Sequence, residues 1–414
     1  MVGQPRKGLL LICDGMGDRP IRELDNKTPL EYAKTPTLDR LACEGECGQM
    51  DPIAPGIRAG SDTAHLAILG YDPYKVYQGR GPFEALGIGM EVRGGDVALR
   101  CNFSTVDEAW RVLDRRAGRI TEGTRDLADA VNGVEIDGVQ CFFKESVAHR
   151  GALVLRGENL SPRITDVDPH AEGLPVAESL PIDPNDSAAA RTARVVNAFV
   201  CLAYERLKDH PVNRERGARG LPPANIILPR GAGVAPHLEP FPQRHKVRAC
   251  AVVETGLIRG IARFVGMDTL DAPGTTGGTD SDLIRMAETV AHALTEYDFV
   301  LCNVKAPDLA GHDGNPSLKV AVIERIEAMV AHLLQQNTEP FYLIVTADHS
   351  TPCSVRDHSG DPVPVLLHGS DLRGDDVLHF HERACQQGGL GRLRGSDLIP
   401  ILTQLMGVQD KFGA

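Results

Sequence analysis

The sequence is poor in aromatic residues and has no excess of basic charge, and these two shortages exclude several classes of protein. Aromatic side chains make up 5% of the 414 residues, with a single Trp, so a protein that stacks single-stranded bases on aromatic rings is not expected. Lys and Arg number 44 against 56 Asp and Glu, which gives a net charge of −12. A general nucleic-acid or anionic-membrane binder needs a basic face, so we expect neither partner.

Long apolar runs and closely spaced cysteine motifs are also missing. No segment approaches the roughly 18 apolar residues of a membrane-spanning helix, and the amino-terminal apolar run, which stops at Asp14, is too short for a signal peptide. The ten cysteines are scattered, without a C-x-x-C motif, which is typical of reduced thiols. We therefore expect a cytoplasmic protein with no membrane partner. No heptad or interface motif indicates an oligomeric state.

Six apolar runs have the length and the flanks of buried strands, and helical patterns separate them. Near-continuous runs of this kind are typical of parallel strands that are buried on both faces. The runs cover 8–13, 224–229, 248–253, 297–304, 340–347 and 362–368. Long helices are predicted over 281–297, with Ser281 or Asp280 as N-cap, and over 317–336, where the apolar residues form one stripe. This order predicts an open α/β sheet with helices on both faces.

The middle of the chain differs from the rest in composition. From about residue 90 to 220 it is charged and rich in turns, with alternating stretches at 94–106 and 151–157. We predict that this part is an inserted α+β domain. The predicted organisation is a discontinuous sheet domain, 1–90 with 221–414, interrupted by an insert over 91–220.

Acidic and imidazole side chains follow three of the predicted strands. In an open α/β sheet, ligands bind beyond the carboxyl ends of the strands, so the residues just after each strand are candidates for a site. They are Asp14 after the first run, Asp308 and His312 after 297–304, and Asp348, His349 and His358 after 340–347. Any one of them could instead form a turn, cap a helix or lie in the core. The joint pattern at three strand ends favours one shared site.

Asp and His together are the ligand types of transition metals. Carboxylates with neutral imidazoles suit Mn, Zn, Co or Fe, whereas an all-oxygen set suits Mg or Ca. Six such residues exceed what one ion with an open position needs, so the set predicts two divalent ions, as in phosphoryl-transfer sites. Mn, Zn or Co is expected, with Mg as an alternative, because the residue types do not identify the native metal.

Ser61 is the candidate nucleophile. It follows Gly60 and precedes a helical pattern in GIRAGSDTAHLAILGY, so its default role is the N-cap of that helix. The start of a helix also favours phosphate, through its free N–H groups and the positive end of its dipole. A metal ion nearby would lower the pKa of the hydroxyl and make it a nucleophile, and the two roles are compatible.

Seven stretches of the chain resemble one known family. They are CDGMGDRP (13–20), AGSDTAHLAILGYDP (59–73), GRGPFEA (79–85), RCNFSTV (100–106), ITDVDPH (164–170), VKAPDLAGHDG (304–314) and TADHSTP (346–352). In this order, and over nearly the whole chain, they resemble the archaeal-type cofactor-independent phosphoglycerate mutases of the alkaline-phosphatase superfamily. The resemblance implies an alkaline-phosphatase-like sheet domain with an inserted domain.

The resemblance also implies roles for individual residues. One metal ion would be held by Asp308, His312 and His358, and the second by Asp14, Ser61, Asp348 and His349. Ser61 would take the phosphoryl group from one phosphoglycerate, and the bound glycerate would turn and accept it on its other hydroxyl. No 2,3-bisphosphoglycerate would be needed.

A phosphoserine enzyme must shield its intermediate from water, and we expect the inserted domain to do this with cationic side chains. Arginine suits bidentate binding of carboxylate or phosphate. The candidates for substrate binding are Arg58, Arg80, Arg100, Asn102, Arg125, Arg150, Asp166, Asp168, His170 and Lys305. Each of them could instead be a solvated surface residue.

Three functions are compatible with these patterns. The first is the interconversion of 3-phosphoglycerate and 2-phosphoglycerate through a phosphoserine. The second is another reaction on the same metal–serine core: a phosphatase, a phosphodiesterase, a phosphonate hydrolase or a phosphotransferase, because a fold does not fix a function. The third is a metal-bound binding protein without activity, which the full set of ligand residues and Ser61 disfavours.

Overall fold

The computed structural model describes residues 6–77, 79–337, 339–411 and 413. The first five residues of the amino-terminal segment lie outside this description. All ten cysteines are free. Among the described residues, no helix combines the length and the hydropathy that crossing a membrane requires.

The strands are numbered in chain order. They are β1 Lys7–Cys13, β2 Glu46–Asp51, β3 Val97–Val106, β4 Val112–Asp114, β5 Val134–Ile136, β6 Val139–Glu145, β7 Arg150–Arg156, β8 Ile226–Val234, β9 Ala249–Val253, β10 Asp268–Leu270, β11 Phe299–Val304, β12 Phe341–Thr346, β13 Val363–His368 and β14 Gly391–Arg394.

The helices are numbered in the same way, and short 3-10 turns occur at Arg22–Leu24 and Ala117–Arg119. They are α1 Pro29–Tyr32, α2 Pro36–Glu44, α3 Ser61–Ile68, α4 Pro73–Val76, α5 Gly81–Gly87, α6 Thr124–Asp129, α7 Ser187–Leu207, α8 Pro211–Ala218, α9 Phe241–His245, α10 Gly256–Phe264, α11 Leu283–Glu296, α12 Ala306–His312, α13 Pro316–Gln336, α14 Glu382–Cys385 and α15 Gly395–Met406.

Contacts within the chain divide it into two compact units, Met1–Lys75 with Glu239–Ala414, and Val76–Leu238. The second unit therefore also contains the segments 76–90 and 221–238, which the sequence analysis placed in the sheet domain. The physical reason is strand pairing: β8 pairs with β3 of the second unit, and α5 packs on β3.

An eight-stranded sheet in the order β10-β9-β11-β1-β12-β13-β2-β14 forms the centre of the first unit. The strands from β10 to β12 are parallel, as their near-continuous apolar sequences predict. Every residue of β11 and β9 is buried. The helices pack as two groups, α2, α11 and α13 in one and α3, α10 and α15 in the other. The predicted α/β class with a second domain is confirmed.

Two of the six predicted parallel strands are paired differently. The run 362–368 forms β13, which is antiparallel to both of its neighbours. The run 224–229 begins β8, which belongs to the second unit and is antiparallel to β3 of the same unit. An apolar run shows that a strand is buried, but it does not encode which strand lies beside it or in which direction.

The second unit is built on an antiparallel sheet in the order β4-β3-β7-β6-β5, with β8 paired to β3. One face packs on α7, whose buried residues include Val196, Phe199 and Val200. Phe103 and Phe143 lie edge to face in the same core, with ring centroids 5.6 Å apart. The alternating stretches of the sequence thus become strands with a buried face, as expected for an α+β unit.

The boundaries of the long helices follow local capping rules. Helix α13 starts at Pro316, whose missing N–H costs nothing at the first position, and the side chain of Asn315 accepts a hydrogen bond from Leu318 N. Helix α11 is capped by Asp282, which accepts from Arg285 N. The predicted caps Ser281 and Asp280 are therefore wrong by one or two residues, because each of the three polar residues in a row satisfies the cap pattern.

Candidate active site

Three neighbouring parallel strands bring the first site residues together. The order β11-β1-β12 places Val304 opposite Cys13 and Thr346 opposite Ile12. The next residues along the three strands lie at one edge of the sheet, and they include Asp14, Lys305 and Asp348. This edge is the carboxyl end of the parallel strands, where α/β sheets bind ligands.

One group of potential ligand atoms contains Asp14, Asp348 and His349, all within 4.8 Å of one another. The three residues are buried, with 0%, 0% and 1% of their surface exposed. His349 Nε2 lies 3.2 Å from Asp348 Oδ2 and 3.7 Å from Asp14 Oδ1. Asp348 Oδ2 is buried and accepts no hydrogen bond of regular geometry among the described residues; it lies 3.2 Å from the imidazole of His349 and 3.5 Å from that of His65.

The second group contains Asp308, His349 and His358, again within 4.8 Å. Asp308 and His312 lie one turn apart on α12, which places both on one face, and His312 Nε2 is 3.4 Å from Asp308 Oδ1. His358 Nε2 is 3.6 Å from the same oxygen. His349 belongs to both groups, and its ring lies 3.6 Å from that of His358.

The three imidazoles share one hydrogen-bonding arrangement. His312 Nδ1 donates to Arg356 O at 3.0 Å, and His358 Nδ1 donates to Ala59 O at 2.8 Å. His349 Nδ1 lies 3.1 Å from Thr351 Oγ1. In each ring Nε2 is left to face the carboxylates. This is the arrangement by which proteins orient neutral histidines as metal ligands, so the residues fit a pair of divalent cations.

The carboxylates of the site have divergent acidities. Burial and the negative charge of Asp348 raise the pKa of Asp14. Burial also opposes ionisation of Asp348, but His349 outweighs it and holds the pKa of Asp348 well below its usual range. Lys305 Nζ donates to Asp14 Oδ1 at 2.9 Å and lies 2.6 Å from Asp308 Oδ2. The ammonium therefore bridges the two ligand groups.

The hydroxyl group of Ser61 lies next to this cluster. Its Oγ is 3.1 Å from His349 Nε2, and the residue is 9% exposed. Ser61 is the first residue of α3, whose N-cap is Gly60, and no side chain caps this helix. The default expectation of a serine N-cap is therefore wrong: the hydroxyl points to the cluster and does not satisfy the helix backbone.

Two buried polar residues behind Ser61 were not identified from the sequence. His65, one turn along α3, donates from Nδ1 to Ser61 O at 2.7 Å, and its Nε2 lies 3.2 Å from Asn303 Nδ2. Asn303 also reaches Asp14 Oδ2 at 3.3 Å. Through these contacts, α3, which carries Ser61, is connected to Asp14, one of the potential metal ligands. The one available signal was an amide within the otherwise apolar FVLCNV of β11, since buried polar residues are rare without a partner.

Of the predicted substrate-binding residues, four gather in the second unit. Arg80 Nε and Arg100 Nε lie 3.0 Å and 3.4 Å from Glu84 Oε1. A small cavity next to them is lined by Arg100, Asn102 and Arg150, together with Arg230. Arg230 was missed, because it follows a run that was assigned to the other domain. Burial and the neighbouring arginines lower the pKa of Arg100, although Glu84 opposes them, so positive charge is in excess here.

The other predicted substrate-binding residues do not line this cavity. Asp168 accepts two hydrogen bonds from Arg115, and His170 pairs with Asp166 at 2.9 Å. Arg125 lines a different cavity with Asp129 and Lys144. In the first unit, Arg58 Nε donates to His358 O at 2.8 Å, and Lys305 lies inside the ligand cluster.

Comparison with known proteins gives consistent results. A family model described as 2,3-bisphosphoglycerate-independent phosphoglycerate mutase matches residues 42–213. A relative of that name from Methanosphaera stadtmanae is 53% identical over 411 residues, which cover 99% of this chain and 100% of the relative. Another, from Methanothermobacter thermautotrophicus, is 51% identical over 99% of this chain and 100% of its own length.

Two solved structures agree with the architecture. A protein from Pyrococcus horikoshii is 40% identical, with a TM-score of 0.84 over 100% of both chains. A cofactor-independent phosphoglycerate mutase from Thermoplasma acidophilum is 38% identical, with a TM-score of 0.80 over 97% of this chain and 100% of that chain. The similarity thus extends over the full length in both sequence and structure.

Proposed function

The chain belongs to the family of 2,3-bisphosphoglycerate-independent phosphoglycerate mutases, and on that basis we propose that it interconverts 3-phosphoglycerate and 2-phosphoglycerate with Ser61 as the phosphoryl carrier. The observation that supports this most directly is the position of Ser61 Oγ, 3.1 Å from His349 Nε2. A hydroxyl at a buried cluster of carboxylates and imidazoles is the arrangement that nucleophilic phosphoryl transfer requires.

The proposed reaction consists of two transfers. In the first, Ser61 Oγ forms a bond to phosphorus and loses its proton, while the bond from phosphorus to the substrate oxygen breaks and that oxygen is protonated. In the second, the other hydroxyl of the bound glycerate attacks the phosphoserine and loses its proton, and Ser61 Oγ regains one. No water and no bisphosphoglycerate enter the balance. The burial of Ser61, Asp14 and Asp348 supports a site that excludes water.

We propose that two divalent ions complete the site. Asp14, Asp348 and His349 would hold one, with Ser61 beside it, and Asp308, His312 and His358 would hold the other. The donor set suits Mn, Zn or Co, with Mg as an alternative. The ions would lower the pKa of the Ser61 hydroxyl and offset the charge of the phosphoryl oxygens. The burial of Asp14, Asp308 and Asp348 and the shared orientation of the imidazoles support this assignment.

The arginine cluster of the second unit is the proposed binding group for the anionic substrate. Arg230 Nε is buried with no hydrogen-bond acceptor among the described residues, and Asp168 Oδ2 is 3.8 Å away. With Arg100 and Arg150 in the same cavity wall, the cluster offers several planar donors to one carboxylate or phosphate. Glu84 is shared between Arg80 and Arg100 and does not neutralise all of them.

The test is an assay of the purified protein with Mn²⁺ and 3-phosphoglycerate, coupled to enolase and without added 2,3-bisphosphoglycerate. We expect 2-phosphoglycerate to form and inorganic phosphate to stay at background. Release of inorganic phosphate at a rate comparable to isomerisation would contradict the proposal and favour a hydrolase.

A further inference from the structure

Lys319 is a fully buried lysine on α13 that contacts none of the proposed ligand side chains. Its side chain is 0% exposed, and so is that of its partner Asp18. Lysine is almost never fully buried unless it is paired, and burying an ion pair is weak evidence for stabilisation. The contacts of its ammonium group therefore indicate what Lys319 does beyond stabilising the fold.

The ammonium of Lys319 has three N–H donors, and each finds an acceptor. Nζ donates to Asp18 Oδ2 at 2.9 Å, to Gly17 O at 3.1 Å and to Thr351 O at 2.9 Å. Gly17 and Asp18 belong to the segment that follows β1 and carries Asp14. Thr351 belongs to the segment that follows β12 and carries Asp348 and His349. One side chain thus spans the two segments that hold the first ligand group.

The two segments also touch each other at the same point. Thr351 N donates to Gly17 O at 3.1 Å, and Cys353 N donates to Asp18 Oδ2 at 3.1 Å. A Cβ at Gly17 would lie 2.1 Å from Ser350 Oγ, so any larger residue would require the Ser350 side chain to move. Asp18 is held in turn by its own N–H, which donates to Glu382 Oε1 at 3.1 Å.

We propose that Lys319 is a positioning residue: with Asp18 it fixes the distance between the Asp14 segment and the His349 segment, and so sets the geometry of the first metal site. The inference relies on the proposed function only for the identity of the ligands. A planar guanidinium could not direct three donors to three converging oxygens in the same way, which explains why this position has lysine.

The test is Lys319→Met, which keeps an unbranched apolar chain one atom shorter and removes the charge and all three donors. Titration calorimetry of the metal-free protein with Mn²⁺ should show the affinity of the first site falling about 10- to 100-fold, the range for residues that orient metal ligands. In the coupled assay at saturating Mn²⁺, kcat should fall while the KM for 3-phosphoglycerate changes little, because Lys319 does not contact the anion-binding arginines.

The control is Leu333→Ala on the same helix, where the side chain is 1% exposed and makes no polar contact. It should lower the thermal midpoint without changing the Mn²⁺ affinity by more than about twofold. Equal losses of Mn²⁺ affinity in the two variants, at equal losses of thermal midpoint, would show that Lys319 is only structural and would overturn the proposal. So would wild-type Mn²⁺ affinity in Lys319→Met.

A second variant covers the case in which Lys319→Met does not fold. Asp18→Asn keeps the shape of the side chain, removes its charge and replaces one accepting oxygen with an NH2 group. We expect a smaller loss of Mn²⁺ affinity in the same site, and no loss in this variant would contradict the proposal. The proposed function fails in a different way: the wild-type protein would bind Mn²⁺ and convert no 3-phosphoglycerate. The two failures are therefore distinguishable.

Discussion

Single hydrogen bonds decide which nitrogen of His349 faces the reaction. Thr351 Oγ1 donates its one hydrogen to Asp308 Oδ1 at 2.7 Å, so it can only accept from His349 Nδ1, 3.1 Å away. Nδ1 is therefore the nitrogen that donates to the threonine, and Nε2 is the nitrogen that faces Ser61 Oγ and the carboxylates of Asp14 and Asp348. The same threonine thus orients one ligand of each group, which is how outer residues tune metal ligands.

The first prediction concerns the nucleophile. Ser61→Ala should lower kcat at least about 1,000-fold, as removal of a nucleophile does in other enzymes, and should leave most of the bound Mn²⁺ in place, because Asp14, Asp348 and His349 remain. The enolase-coupled assay and metal analysis measure the two outcomes. Thr63→Ala, two residues along α3, is the matched control and should keep activity. More than a few per cent of wild-type turnover in Ser61→Ala would rule out the assignment.

The second prediction concerns Thr351. Thr351→Val keeps the volume and removes the hydroxyl, so the Mn²⁺ affinity should fall about 10- to 100-fold. Thr351→Ser retains the hydroxyl and should stay within a few-fold of wild type. Calorimetric titration with Mn²⁺ compares the two, and equal affinities in both variants would mean that the hydroxyl does not orient the ligands.

At the scale of elements, packing determines the position of Arg230 after β8 pairs with β3, and it determines the pKa of His245 in α9. β8 pairs with β3, and this pairing places Arg230 in the same cavity wall as Arg100. Helix α9 packs Phe241 against its own His245, with ring centroids 4.5 Å apart. Burial and the charge of Arg244 lower the pKa of His245 to about 4.

The third prediction concerns Arg230 on β8. Arg230→Lys keeps the charge but loses the bidentate geometry, so the KM for 3-phosphoglycerate should rise about tenfold, equivalent to roughly 1.4 kcal/mol. Arg125→Lys changes the other cavity and should raise KM less. Steady-state kinetics of the two variants show which cavity binds the substrate. A larger rise in KM for Arg125→Lys than for Arg230→Lys would favour the cavity lined by Arg125.

The fourth prediction concerns pH and α9. Because the pKa of His245 is about 4 in the folded protein and about 6.5 when unfolded, the unfolded chain binds more protons between these values. Stability should therefore be complete above about pH 6.5 and decline as pH falls toward 4. His245→Leu should remove on the order of 1–2 kcal/mol of that decline, a figure reduced for partial exposure. Thermal unfolding at pH 5 and pH 8 measures it; parallel declines in both proteins would contradict the assignment.

At the scale of the whole molecule, the first unit gathers negative charge at one buried point. Asp14, Asp308 and Asp348 are each 0–2% exposed, and Lys305 is the one lysine that pairs with them among the described ion pairs. Cations that bind such a cluster in the folded state alone stabilise the fold by mass action.

The fifth prediction concerns metal removal. The chelated protein should be inactive, and Mn²⁺ or Co²⁺ should restore turnover. Mn²⁺ at 100 times its Kd should stabilise the fold by about 2.7 kcal/mol, visible as a rise in the thermal midpoint. Asp14→Asn should lose most of this rise, whereas Asp410→Asn, at an exposed pair with Lys246, should keep it. Full activity in metal-free protein would exclude the two-ion site.

The sequence by itself determined the buried strands, the long helices and the types of side chain at the strand ends. Apolar periodicity reports burial directly, and residues that follow parallel strands meet at one edge whatever the loops do. For that reason the proximity of Asp14, Asp348 and His349 was predicted without coordinates. The four-residue spacing of Asp308 and His312 places them on one face because the structure makes that segment the helix α12.

Only the tertiary structure decided the partner of β8, the direction of β13 and the contacts of His65, Asn303, Thr351, Lys319 and Arg230. These depend on distances between segments far apart in the chain, as in the hydrogen bonds from Lys319 to Gly17 and Thr351. The hydrophobic pattern determines which residues are buried. The function of a buried polar group depends on its hydrogen-bond partner, and the two come into contact only once the chain has folded.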